Sequence, residues 1–251
     1  MASRLTPVEP NLHAIETSLR TVRQELGIIG VVLGAQRDAL DDRAIANMLA
    51  GYAYVGRLVN AGLEPFARVE HLLELNRLVL CGADPARRIE FRTHLEATEH
   101  RFYEETDAGI NDVVEWARFN TGRSVWQRAA GIYLRILAKP QLFIEGNHRT
   151  GTLIMSWVLM QAGEPPFVLT TANARRYFSP SATIRAIGKN SILGMLRLPR
   201  IQRRFAEFIQ NDANMIFLSP HTSTDQSASR IGLVRLVPAD LPRVGPAKVQ
   251  R

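Results

Sequence analysis

The sequence predicts an all-α protein, and three observations carry that prediction. Apolar residues recur at intervals of three and four from Asn11 to Gly82, the period of an amphipathic helix. Starts and stops suited to helices mark the chain, among them Asp84-Pro85, Pro140, and Gly163 followed by Pro165-Pro166. Strand-like stretches are scarce before residue 140, so little or no β structure is expected.

In chain order, Met48, Tyr52, Val55 and Val59 share one helical face, and Val69, Leu72, Leu75 and Val79 share another. A third helix runs through "DPARRIEFRTHLEATEHRFYEE", with Asp84 as N-cap and Pro85 at the first helical position. Helical patterns follow at about Asn111–Arg118 and at Val125–Leu137, the second ending before Pro140. "RTGTLIMSWVLMQAG" is apolar on most sides, which places it in a core. After it, "PFVLTT" reads as a brief extended piece, "NARRYF" and "SATIRAIG" as short helical pieces, and "RIQRRFAEFIQ" as a longer helix after Pro199. The organisation expected is an N-terminal helical segment over 1–66, a helical core over 67–218 and a tail over 219–251. The Ser, Thr, Pro and Asp content of that last part supports a tail, within which "RIGLVRLVP" alternates like a strand.

Composition narrows the function classes. With 46% hydrophobic and 22% charged residues in 251, the chain has an ordinary globular make-up and enough material for a core. A single cysteine, Cys81, excludes a disulfide framework and a cysteine zinc cluster, and a reducing, cytoplasmic setting is expected. The opening "MASRLTPVEP" lacks the basic-then-apolar pattern of a secretory signal. "IIGVVLGA" is far shorter than the roughly 20 residues that cross a bilayer, so no membrane role is expected. The net charge of +7 suits anionic partners. Its one cluster, Arg197, Arg200, Arg203 and Arg204, has no alternating aromatic residues and reads as a solvated helix face, which argues against nucleic acid.

The stretch "PQLFIEGNHRTG", Pro140 to Gly151, carries the chemistry. A chain that turns at Gly146 and then opens a helix presents backbone N–H groups with no intrahelical partner. The helix dipole adds roughly half a positive charge there, and a phosphate fits. Arg149 supplies a two-pronged donor, and Glu145 is placed as a Mg²⁺ ligand, because that ion is typically held by one or two carboxylates plus phosphates. A purely structural reading of the same residues has Gly146 turning the chain, Asn147 capping the helix and Arg149 pairing with Glu145. The stretch matches neither the dinucleotide glycine pattern nor the P-loop.

Residue order favours the first reading. "QLFIEGNHRTGT" resembles the signature of the Fic/Doc (Fido) family: His, a residue often Pro, Phe, any residue, Asp or Glu, Gly or Ala, Asn, Gly or Lys, Arg, two residues, Arg. Phe143, Glu145, Gly146, Asn147 and Arg149 match, and the resemblance covers roughly Val69 to Ile209. It implies a Fic-type helical bundle with the motif loop between two core helices. It further implies transfer of a nucleotide's phosphate-containing part, most often AMP from ATP, to a hydroxyl of a target protein, with Mg²⁺ and ATP or another nucleotide as cofactors. By the same resemblance Glu145 would hold Mg²⁺, Gly146 and Asn147 would form an anion hole, and Arg149 would grip the phosphates. A homo-oligomer is compatible with this picture.

Four positions depart from the signature. Leu142 replaces Pro, His148 replaces Gly or Lys, and Thr152 replaces the final Arg. Gln141 stands where the family's His accepts the proton of the attacking hydroxyl, and a carboxamide has no comparable basicity. Three readings stay open: a transferase working without the usual base, either because the target is itself activated or because His148 takes over, although its side chain is expected on the far side of the turn from Gln141; a pseudoenzyme that binds a nucleotide or phosphate-bearing ligand and acts through a partner protein; and an enzyme for another anionic substrate, with the glutamine making a specific hydrogen bond. An inhibitory helix is not expected from "TVRQELG", because Leu26 separates Glu25 from the glycine and Thr152 removes its partner. His94 and His100, near Glu96 and Glu99, match no standard metal spacing and are expected on a solvated face. Trp116, Trp126 and Trp157 are expected in the core, and Tyr177 and Phe178 in a packed connection.

Overall fold

Residues 8–33, 40–104, 109–189 and 191–220 are described by a computed structural model, and they fall within one compact unit, Met1–His221. Their helices are α1 (Leu12–Leu33), α2 (Asp42–Asn60), α3 (Glu70–Cys81), α4 (Pro85–Glu90), α5 (Arg92–Tyr103), α6 (Ile110–Phe119), α7 (Val125–Leu137), α8 (Asn147–Gln161), α9 (Thr171–Ala186) and α10 (Ile192–Asn211). Two three-residue strands, β1 (Val8–Pro10) and β2 (Leu218–Pro220), pair antiparallel with Glu9 opposite Ser219. The class is all-α. "RIGLVRLVP" lies outside the described residues.

Helix α8 is the axis of the bundle. Residues 150 to 160 are buried on every side, and α2, α3 and α7 pack around them. That burial is what an all-round apolar sequence requires. The polar atoms it carries inside are satisfied locally: Ser156 Oγ donates to Phe167 C=O at 3.3 Å and accepts Phe167 N–H at 3.1 Å. "PFVLTT" accordingly pairs with side chains of the core and forms no strand. Trp157 and Trp126 are buried, and Trp116 is half-buried under Arg135.

Caps behave as their chemistry dictates. Asp84 accepts Ala86 N–H with Pro85 at the first position of α4, and Thr170 with Asn173 closes a reciprocal capping box on α9. The helix expected from Asp84 onward is interrupted at Phe91 (φ −90°, ψ 7°), giving α4 and α5. Two expected breaks are absent: α9 continues through Pro180 and α10 through Pro199. Each proline removes one donor, and the carbonyls left over belong to Arg176 and Met195, both exposed, where water can serve. The small sheet gave no sequence signal, being three residues a side with Pro10 in one strand and Pro220 in the other.

Candidate functional site

The motif loop hangs between α7 and α8, and its backbone is pinned at nearly every residue. After α7 the chain turns extended at Ala138, and the Lys139–Pro140 peptide is cis. Lys139 N–H donates to Ile187 C=O and Lys139 C=O accepts Lys189 N–H, tying the loop's start to the end of α9. Arg101 of α5 donates from Nε and Nη2 to Gln141 C=O at 3.0 and 2.6 Å. Leu142 and Phe143 are buried anchors, and Phe143 stacks on Phe102 with ring centroids 5.7 Å apart.

Asn147 closes the loop. Its Oδ1 accepts Phe143 N–H at 2.9 Å and its Nδ2 donates to Phe143 C=O at 2.8 Å, so the amide satisfies a buried peptide on both sides. Its side chain is thus committed to the loop and does not cap α8. The turn itself is made by Gly146 at φ +75°, ψ 11°, the left-handed region that favours glycine. Fully buried Asn76 of α3 supports it, donating to Glu145 C=O at 2.9 Å and Thr150 Oγ1 at 3.0 Å. Thr150 N–H is bonded to Gly146 C=O, and Asn147, His148 and Arg149 form the first turn of α8.

The remaining predicted residues divide by direction. Glu145 is exposed, with 51% of its side chain accessible, and Oε2 lies 3.8 Å from His94 Nε2 of α5. His94 is therefore at the motif loop and not on a solvated helix face, while His100 is exposed beside Glu104 at 3.3 Å. Arg149 is half-buried on α8. His148 Nδ1 bonds Tyr133 OH at 3.0 Å, and its ring lies against Tyr177 and Phe178, each 6.3 Å away. Gln141 is half-buried and its Nε2 donates to Leu137 C=O at 3.3 Å, back onto the last turn of α7.

Thr152, at the place of the family's last arginine, is core. Only 6% exposed, it bonds His148 C=O at 2.9 Å and Tyr177 OH at 2.7 Å. Tyr177 is buried among Tyr133, Phe167 and Phe205. Burial drives the Tyr133 phenol well above its usual range, so it acts there as a neutral hydroxyl.

Beside the loop lies an open groove of about 960 Å³, lined by Arg101, Lys139, Gln141, Phe143, Ile144 and Arg185 among others. Of the predicted site residues, Gln141 alone lines it. Asn76, Arg101, Tyr133 and Arg185 carry no signal in the sequence, and His94, expected on a solvated face, joins them at the site. All but Tyr133 reach the loop or the groove from elements other than α7 and α8, at sequence separations that no local spacing reveals. In the "RRYF" stretch Tyr177 is buried, as expected of a packed connection.

The turn at Gly146 leads into the N-terminus of the central helix α8 with Glu145 before it and Arg149 after it, the residue order in which the loop resembles the Fic/Fido signature. Sequence likeness supports that class for this chain. It is similar to the protein adenylyltransferase fic-1 of Caenorhabditis elegans, 29% identical over 118 residues, covering 44% of this chain and 23% of that protein. It is also similar to the protein adenylyltransferase Fic of Drosophila grimshawi and that of Culex quinquefasciatus. Both are 26% identical, covering 65% of this chain and 35% and 34% of those proteins. The chain thus spans between about a quarter and a third of the length of these curated relatives. Among solved structures, a Fic-1 fragment from C. elegans gives a TM-score of 0.44 at 19% identity, covering 80% of this chain and 58% of that one. No protein-family model matches.

Proposed function

We propose that this chain binds a nucleotide or another phosphate-bearing ligand at the start of α8, and that AMP-type transfer to a protein hydroxyl is modified or lost. The observation that carries the reading is the pinned turn at Gly146. Asn147, Asn76 and Arg101 hold its backbone so that an anion meets a pre-formed helix N-terminus rather than a flexible loop. In this reading the backbone of Gly146 and Asn147 forms the anion hole. The Asn147 side chain orients that backbone, and Arg149 contributes charge from the same turn.

Glu145 fits a divalent cation. Its carboxylate is exposed, and among the described residues no group of three or more ligating side chains would hold a metal alone. That suits Mg²⁺ shared with a ligand's phosphates, where it would offset their charge. His94 Nε2 lies 3.8 Å from the carboxylate, beyond hydrogen-bond distance.

The altered chemistry follows from Gln141 and Thr152. Gln141 has no basicity and is turned toward Leu137 C=O, and loss of a general base typically costs about 10²–10⁴ in rate. We place no substitute base at His148, because it does not line the groove at Gln141. The buried Thr152 supports a second reading, a binding or scaffolding protein without turnover, because a neutral hydroxyl bonded within the core stands where the family signature has a charged arginine. Incubating the chain with α-labelled ATP, Mg²⁺ and a candidate target protein tests both. We expect no label above background from the native chain, with Gln141→His either raising transfer by about 10² or more or leaving it at zero. Native transfer faster than that of Gln141→His would refute the reading and point to a repurposed enzyme.

A further inference from the structure

The groove beside Gln141 is lined on one side by charge of a single sign. Its lining includes Arg101, Lys139 and Arg185 and no acidic residue, with Pro140, Phe143, Ile144 and Ala186 supplying apolar surface. Elsewhere several half-buried arginines are matched to carboxylates, Arg77 to Glu99, Arg88 to Glu74 and Arg135 to Asp112. Lys139 and Arg185 are exposed and, among the described residues, neither is held in an ion pair. Arg101 donates to a neutral carbonyl, which leaves its charge uncompensated. Three such cations lining one groove together with apolar side chains attract an anionic partner and steer its approach.

We infer that this groove docks an acidic, extended segment of the protein that presents the acceptor hydroxyl. The lining includes Gln141, the position at which an acceptor proton would leave, and omits Gly146, Asn147 and Arg149, where the phosphate is placed. The groove is therefore on the acceptor's side of the loop. At about 960 Å³ and open to solvent it lies near the upper end of small-ligand sites, a size suited to a short run of chain. Ile144, 46% exposed at the rim, offers apolar contact to that run. The acceptor role rests on the reading proposed above, whereas acidic-segment binding does not.

The probe is a fluorescein-labelled peptide of glutamates flanking one serine, followed by anisotropy on the full chain, with a lysine-flanked peptide as its counterpart. Lys139→Glu with Arg185→Glu reverses two charges in the groove, and Arg200→Glu with Arg204→Glu reverses two on the exposed face of α10. The expected result is binding of the acidic peptide alone, weakened at least about tenfold by the groove pair and less than about twofold by the α10 pair. Lys139→Gln with Arg185→Gln, which only neutralises, is expected to fall between native and reversed. Equal weakening by both reversed pairs would reduce the effect to net charge, and absence of binding to the native chain would remove the docking site; either overturns the inference. Displacement of the peptide by ADP with Mg²⁺, together with loss of nucleotide binding in the groove pair, would overturn it too and assign the groove to the nucleotide. If no nucleotide binds yet the peptide results hold, the nucleotide reading fails and the docking groove stands.

Discussion

At the scale of single residues, Asn147 shows that the partner of a side chain is not written in the motif that contains it. Its place in the motif was legible, but sequence does not reveal whether an asparagine side chain caps its helix, meets an anion or clamps its own loop. The third holds, because Phe143 is buried and both polar groups of its peptide need partners. Asn147→Ala leaves those groups unpaired and is expected to cost about 2 kcal/mol, read as a lower urea midpoint at unchanged slope. An unchanged midpoint would show that the clamp contributes nothing. Gln141 was fully legible as a departure, since the absence of a base is a property of the residue. Its bond to Leu137 C=O was not, and neither was the approach of His94 to Glu145 from α5.

At the scale of elements, most helices were legible and their punctuation less so. Val125–Leu137 follows from apolar period and flanking Pro140, and the capped start of α4 from Asp84-Pro85. Proline misled at 180 and 199, because a helix already packed on one face tolerates the loss of one donor where the orphaned carbonyl meets water. Replacing Pro199 in the exposed part of α10 by alanine should therefore raise stability by about 1 kcal/mol or more, measured as a higher melting temperature. A decrease would mean that the proline's shape is needed there. Gly146→Ala is expected to act oppositely, costing about 1–2 kcal/mol for the left-handed backbone. Its new Cβ would also stand 3.2 Å from Asn76 Nδ2 and from Val79 Cγ1. Urea unfolding checks this, and an unperturbed Gly146→Ala would show that the turn is not held at positive φ.

At the scale of the whole molecule, an all-α core built around α8 carries buried phenols that set a limit on alkaline stability. Burial raises Tyr52 and Tyr133 well above the ordinary tyrosine value of about 10. A raised folded-state value stabilises the fold fully below the unfolded value and loses that contribution as pH rises past it. Stability is thus expected to be unaffected by these groups below about pH 10 and to fall above it. The 295 nm absorbance of phenolate should rise together with loss of far-UV circular dichroism; ionisation of every tyrosine near its ordinary value in a still-folded chain would contradict this. The central claim, a phosphate-bearing ligand at the start of α8, is tested most directly by a thermal shift with a panel of nucleotides, with and without Mg²⁺. Arg149→Ala and Glu145→Ala serve as controls. A ligand at about a hundred times its dissociation constant adds roughly 2.7 kcal/mol, a rise of several degrees. At least one nucleotide is expected to raise the melting temperature, with Arg149→Ala abolishing the rise and Glu145→Ala abolishing its Mg²⁺-dependent part; no shift with any nucleotide, or a shift indifferent to both substitutions, would contradict a ligand at this position.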